Sequence, residues 1–94
     1  MKTFRILVRG SGVLLEAQVI PKKLGLYTTR VVSAARKAAA VELALRGVEE
    51  ELRGRVKNDS IDRPSLVAEE IEEIASEPAS MTPGFSFFEE EGLN

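Results

Sequence analysis

A chain of 94 residues with neither cysteine nor histidine has no disulfide, no thiolate nucleophile, no Ser-His-Asp triad and none of the usual Cys/His zinc sites. At this length a single domain over 1–94 is expected, burying about 60–65% of the unfolded chain's surface and leaving little room for a deep pocket. The formal charge of −2 conceals a division: residues 1–57 carry twelve Lys/Arg against five Glu, and residues 58–94 carry one arginine against ten acids. Such asymmetry predicts either a basic surface with an acidic cover or two halves that neutralise each other.

Residues 3–9 alternate, with Phe4, Ile6 and Val8 on one face and Arg5, Leu7 and Arg9 on the other, as a half-buried strand requires. Gly10-Ser11-Gly12 has the chemistry of a tight hairpin turn, after which Val13, Leu15, Ala17 and Val19 resume the period of two and predict a second strand. Residues 21–25, Pro-Lys-Lys-Leu-Gly, break that pattern, and the β-branched and aromatic stretch 26–32 predicts a third.

From Ser33 the period becomes helical. Ala34, Ala38, Val41, Leu45, Val48 and Leu52 form one apolar stripe, Glu42/Arg46, Glu49/Arg53 and Glu51/Arg55 stand four residues apart, and Gly54 is placed to cap the end. A helix over 34–53 follows, its stripe too short for a sustained coiled coil and suited to covering a sheet. Residues 58–64 read as a linker. Residues 65–75 satisfy a helix by composition, but an open sheet edge beside Arg5 and Arg9 favours a fourth strand, with Val67 and Ile71 together on one face. Residues 76–94 are expected to be a loop, with a type II turn at Thr82-Pro83-Gly84-Phe85, followed by an aromatic and acidic tail.

The fold class is therefore α+β: an antiparallel sheet of three to four strands in β-β-β-α-β order with one long helix across one face. With 44% apolar and 30% charged residues the composition is that of a globular protein. No apolar run approaches the roughly 20 residues needed to span a bilayer, and Arg5 and Arg9 interrupt the N-terminal apolar stretch, so no membrane association and a cytoplasmic location are expected.

Little in the sequence points to catalysis. Gly10-Ser11-Gly12 lacks the spacing of a phosphate-binding loop, and the Glu69, Glu70, Glu72 and Glu73 run suits a solvated or arginine-paired face better than a convergent metal site. Ser33 and Lys37, one helical turn apart, are better explained as a cap and a surface cation than as a nucleophile and base. No catalytic residue, metal or cofactor is expected. The candidate contacts with a partner or an anion are Lys22, Lys23, Tyr27, Arg30, Arg36 and Lys37, which would cluster if the second loop met the start of the helix. Phe85, Phe87 and Phe88 either pack on their own domain or enter a partner.

The run Leu24-Gly25-Leu26-Tyr27-Thr28-Thr29-Arg30-Val31-Val32-Ser33-Ala34, with the alanine-rich helix behind it and Gly84-Phe85-Ser86-Phe87 near the end, resembles small uncharacterised bacterial proteins with a Gly-Phe-Tyr-Thr-Thr-Arg-like strand before their helix. That resemblance implies an extended 65–74 segment and no particular activity. More loosely, the order of three strands, a helix and a further strand is similar to the partner-binding domain of HicB-type antitoxins. The expected function is a non-catalytic protein-interaction or regulatory module that binds a protein partner or a second copy. The alternative is a nucleic-acid-binding domain using the basic cluster.

Overall fold

The computed structural model describes residues 1–15, 23–56, 63–75 and 84–89. They form β1 (Lys2–Val13), β2 (Leu24–Ala34), α1 (Lys37–Leu52), β3 (Ser65–Ile74) and β4 (Ser86–Glu89). The four strands make one antiparallel sheet in the order β3-β1-β2-β4. The α+β class and the one helix among the described residues match the expectation; the order of the described elements, β-β-α-β-β, does not.

The difference begins at Gly10-Ser11-Gly12, which lies inside β1 instead of turning the chain. Gly10 pairs with Leu26 and Val13 with Leu24, so β1 spends one more residue than β2 over this stretch. Gly12 takes up the irregularity at φ +70°, a conformation that favours glycine. The two glycines thus mark a bulge, which shares its sequence chemistry with a hairpin turn. Val13 closes β1, Leu15 bridges to Val56, and residues 16–20 of the expected second strand lie outside the described residues. The expected third strand is then the direct neighbour of β1, from Lys2↔Ala34 to Val13↔Leu24.

Phe4, Ile6 and Val8 point into the core, as the alternation predicted, and are joined there by Val13, Leu26 and Leu24. The helix begins at Lys37, three residues later than expected, because Ala34 is still paired in β2. Its innermost line is Ala40, Ala44, Val48 and Leu52. Ala40 and Ala44 in that line are buried, with Leu45 packed beside them and Ala38 exposed. Burying a side chain such as Ile6, Leu26 or Val48 contributes about 1.5–3 kcal/mol, and these are fully buried.

Residues 65–74 are a strand, but Val67 and Ile71 do not share a face. Leu7 pairs with Glu70 and Val8 with Ala68, leaving Glu69 as an extra residue that reverses the alternation. Ile71 lies opposite Ile6 on the core side and Val67 opposite Arg9 on the other. The tail also gains structure: Ser86–Glu89 pairs with Leu24–Tyr27 as β4, and Phe85 and Phe87 pack against the core. Thr82 and Pro83 of the expected turn lie outside the described residues. Gly54, just beyond the helix, does not have the positive φ of a glycine cap. No helix among the described residues is long and apolar enough to cross a membrane.

Gly25 faces Phe88 across the β2–β4 pair, and the ring occupies the space a Cβ would need. Tyr27 completes the arrangement by stacking on Phe88 at 5.4 Å between centroids. Replacing Gly25 by alanine should displace the ring, at a cost of about 1–3 kcal/mol for overpacking. Urea unfolding followed by fluorescence of Tyr27, the one tyrosine, would measure this. Gly47 is the contrasting position, a helix-interior glycine with open space around it. Gly47→Ala should stabilise by about 0.5–1 kcal/mol in the same assay.

Candidate interaction surface

Because α1 covers one face of the sheet, the residues that alternate with the core positions lie on the other. The strand register arranges them in rows: Val67, Arg9, Tyr27 and Ser86; Glu70, Leu7 and Thr29; Glu72, Arg5 and Val31; Ile74, Thr3 and Ser33. Phe88 adds its ring over Gly25. Arg5 is ion-paired with Glu72, its cross-strand partner. The charges displayed by these rows are thus two arginines and two glutamates, a balanced set interleaved with apolar side chains. Val67 is 51% exposed and is the strand residue most available to a partner among the large apolar side chains.

The expected basic cluster is not assembled by the described residues. Lys22 lies outside them. Lys23 stands just before β2, whereas Arg36 and Lys37 follow its far end. An 11-residue strand at about 3.3 Å per residue holds the two groups on the order of 35 Å apart. The expectation required the second loop to meet the start of the helix, and β2 instead runs the full length of the sheet between them. Ser33 is likewise in β2 and Lys37 in α1, so the one-turn spacing of a serine and lysine is absent.

Arg36 is the N-cap residue and makes no side-chain cap; only its carbonyl, accepting from the Ala40 amide at 3.1 Å, engages the helix. The first turn of α1 has no acid and the last no base, while Glu49, Glu50 and Glu51 crowd its C-terminal end. Lys37 in the first turn and the glutamates of the last oppose the helix dipole, at about 0.3–1 kcal/mol for each misplaced charge, with Arg53 at the C-cap as a partial offset. Packing, and the use made of Glu51, hold the helix in place.

Arg30 is that use. It lies on the core side of β2, with Ile6 as its partner on β1, and its side chain is only 11% exposed. Its Nε donates to Thr28 Oγ1 at 3.1 Å, while Nη1 and Nη2 donate to the two carboxylate oxygens of Glu51 at 2.5 and 3.2 Å. The guanidinium also sits 5.2 Å from the centre of the Phe85 ring, with Arg55 at 5.5 Å from the same ring. A buried arginine needs such satisfaction, and the bidentate geometry suits a carboxylate. Arg30 thus joins the sheet, the end of the helix and the C-terminal segment, and its charge is neutralised within the chain. Its parity with Leu26 and Val32 in an alternating strand was the available signal that it points inward. Nothing local named Glu51 or Phe85 as partners, and Glu51 looked committed to Arg55. Among the expected helix pairs, Glu42–Arg46 does form, at 3.8 Å.

Among the described residues no group of His, Cys, Asp or Glu is arranged to hold a metal ion. The β3 glutamates are spread over both faces: Glu70 and Glu72 share the open face, and Glu73 lies opposite Phe4 on the other.

The hydrogen bonds from Arg30 hold the Glu51 carboxyl below the usual glutamate range; slight desolvation opposes them, and the charges of Arg30 and Arg55 reinforce them. A depressed folded-state pKa means that the unfolded chain binds the proton first as pH falls. The stabilisation is complete above the unfolded value and is lost as pH drops through the folded one. Glu51→Gln should therefore lower the urea midpoint at neutral pH, and the gap to the unaltered chain should close on acidification through the carboxylate range. The effect is modest, because the Glu51 side chain is 51% exposed. No family model, curated protein or solved structure matches this chain.

Proposed function

We propose that this protein is a non-catalytic interaction module whose partner is another protein. The observation that carries the reading is the open face of the sheet, where Leu7, Tyr27, Val31, Val67, Ile74 and Phe88 are interleaved with two arginines and two glutamates. Apolar residues flanked by balanced charge suit a protein surface, which presents both signs and buries apolar area. A polyanion requires pooled cations, since phosphate neutralisation supplies most of its affinity. The nucleic-acid alternative draws no support from cations held at opposite ends of β2, with Arg30 paired to Glu51. Acid–base catalysis draws no support from Glu51, whose carboxyl is held low by an arginine partner that serves the fold.

The test compares the unaltered chain with Val67→Lys, an exposed substitution expected to change stability by no more than about 0.5 kcal/mol. Pull-down from the native host should retain a protein on the unaltered chain and lose it on the variant. Titration with mixed DNA and RNA at low ionic strength should show no salt-dependent binding. Binding that weakens steeply with salt, and that Val67→Lys leaves unchanged, would overturn the reading in favour of nucleic acid.

A further inference from the structure

The two edges of the sheet are built differently. The outer edge belongs to β3, which carries Glu69, Glu70, Glu72 and Glu73 and a bulge at Glu69. Charge and a bulge are two of the devices by which edge strands resist the addition of another strand. The opposite edge is shared. β4 pairs only with Leu24–Tyr27, while β2 continues to Ala34 with β1 on one side. Among the described residues no strand lies on its other side beyond Tyr27. Phe85, just before β4, packs against the Arg30 guanidinium, so the clear stretch is Arg30-Val31-Val32-Ser33-Ala34. It contains no acid, lysine or proline, and its one charge is neutralised by Glu51. Among the described residues none of the usual protections of an edge is present along it.

We propose that this edge pairs with the same edge of a second copy, antiparallel about a two-fold axis at Val32, joining two four-stranded sheets side by side. This rests on the reading of the protein as an interaction module and names one of its partners. The segment is complementary to itself. In this register Val32 meets Val32 of the second copy, Val31 meets Ser33, and Arg30 meets Ala34, so no like charges oppose one another. Each pair joins residues of the same parity, so core-side positions meet core-side positions and both helices lie on one side of the joined sheet. A cyclic pair of this kind uses one patch twice and closes without leaving a free end of the interface. The β3 edge, paired with itself, would bring glutamates against glutamates. The open face remains exposed in the pair, so edge pairing and face binding are compatible.

The experiment uses sedimentation of the full chain over a wide concentration range. The unaltered protein should pass from monomer to dimer as concentration rises. Val31→Lys/Ser33→Lys places lysine opposite lysine twice and should raise the dissociation constant by about tenfold or more. Val31→Glu/Ser33→Glu should do the same, and an equimolar mixture of the two should recover dimer, which separates a lost contact from a lost fold. Val67→Lys, on the open face away from this edge, should leave dimerisation intact. An unaltered chain that stays monomeric overturns the proposal. So does a dimer that survives both double variants or is lost with Val67→Lys, since either outcome moves the contact off the β2 edge. If the chain is monomeric yet loses its host partner on Val67→Lys, edge pairing fails while the interaction reading stands. A dimer with no partner sensitive to Val67→Lys has the reverse meaning.

Discussion

β1 is hydrogen-bonded on both sides along nearly its whole length, to β2 from Lys2 to Val13 and to β3 from Thr3 to Ser11. Every other element takes its position from that strand. Its alternation fixes which side of the sheet is core, because Phe4, Ile6 and Val8 can be buried together only on one face. That in turn fixes where α1 must lie, and which residues of β2 and β3 stand opposite the core positions. Gly10 is part of the same constraint: a Cβ there would meet Leu26 Cγ and Leu66 Cδ2 at 2.9 Å. Its absence lets residues from both neighbouring strands close over the centre of the sheet.

Arg30 is the polar counterpart of that apolar order. A strand position facing the core would ordinarily hold a Val or an Ile, and a charge there is costly unless it is fully hydrogen-bonded. Thr28 and Glu51 supply the bonds, and Phe85 supplies a ring face. The arrangement ties the last turn of α1 to the middle of β2, offsetting acidic residues that stand at the unfavourable end of the helix dipole. It also removes from the surface a cation that the sequence alone would assign to a partner. The division of charge along the chain is thus partly internal, through Arg5 with Glu72 across β1 and β3. Arg30 and Glu51, by contrast, pair within the basic half.

What remains outside these internal contacts is the rest of the sheet surface. Among the described residues one face of the sheet is covered by the helix and the other is open, one edge carries glutamates and a bulge, and the other has no neighbouring strand over the second half of β2. In a sheet this small, surfaces left over from folding are a large share of the whole. Their composition is apolar with balanced charge on the face and uncharged apart from Arg30 along the edge.

Local pattern was enough for residues 3–9 of β1, whose period-two alternation names their inward side chains, for the extent of most of α1 though not for Ala40 and Ala44 in its buried line, and for the extended character of 65–74 beside the arginines of β1. It failed where one residue changes the meaning of a pattern. Gly10-Ser11-Gly12 has the chemistry of a turn or of a bulge, and only the pairing of Gly10 with Leu26 and Val13 with Leu24 distinguishes them. Glu69 sends Val67 and Ile71 to opposite faces because the bulge is created by the neighbouring strand. Among the described residues Lys23 and Arg36 stand apart for a similar reason: strand length sets the distance between them, and that length is decided by pairing. The sequence by itself determined which residues could be buried and what chemistry was excluded, since both follow from side-chain type and short-range periodicity. Tertiary structure alone decided strand order, the two bulges, the partners of Arg30 and the bare edge of β2, because each depends on contacts between residues far apart in the chain.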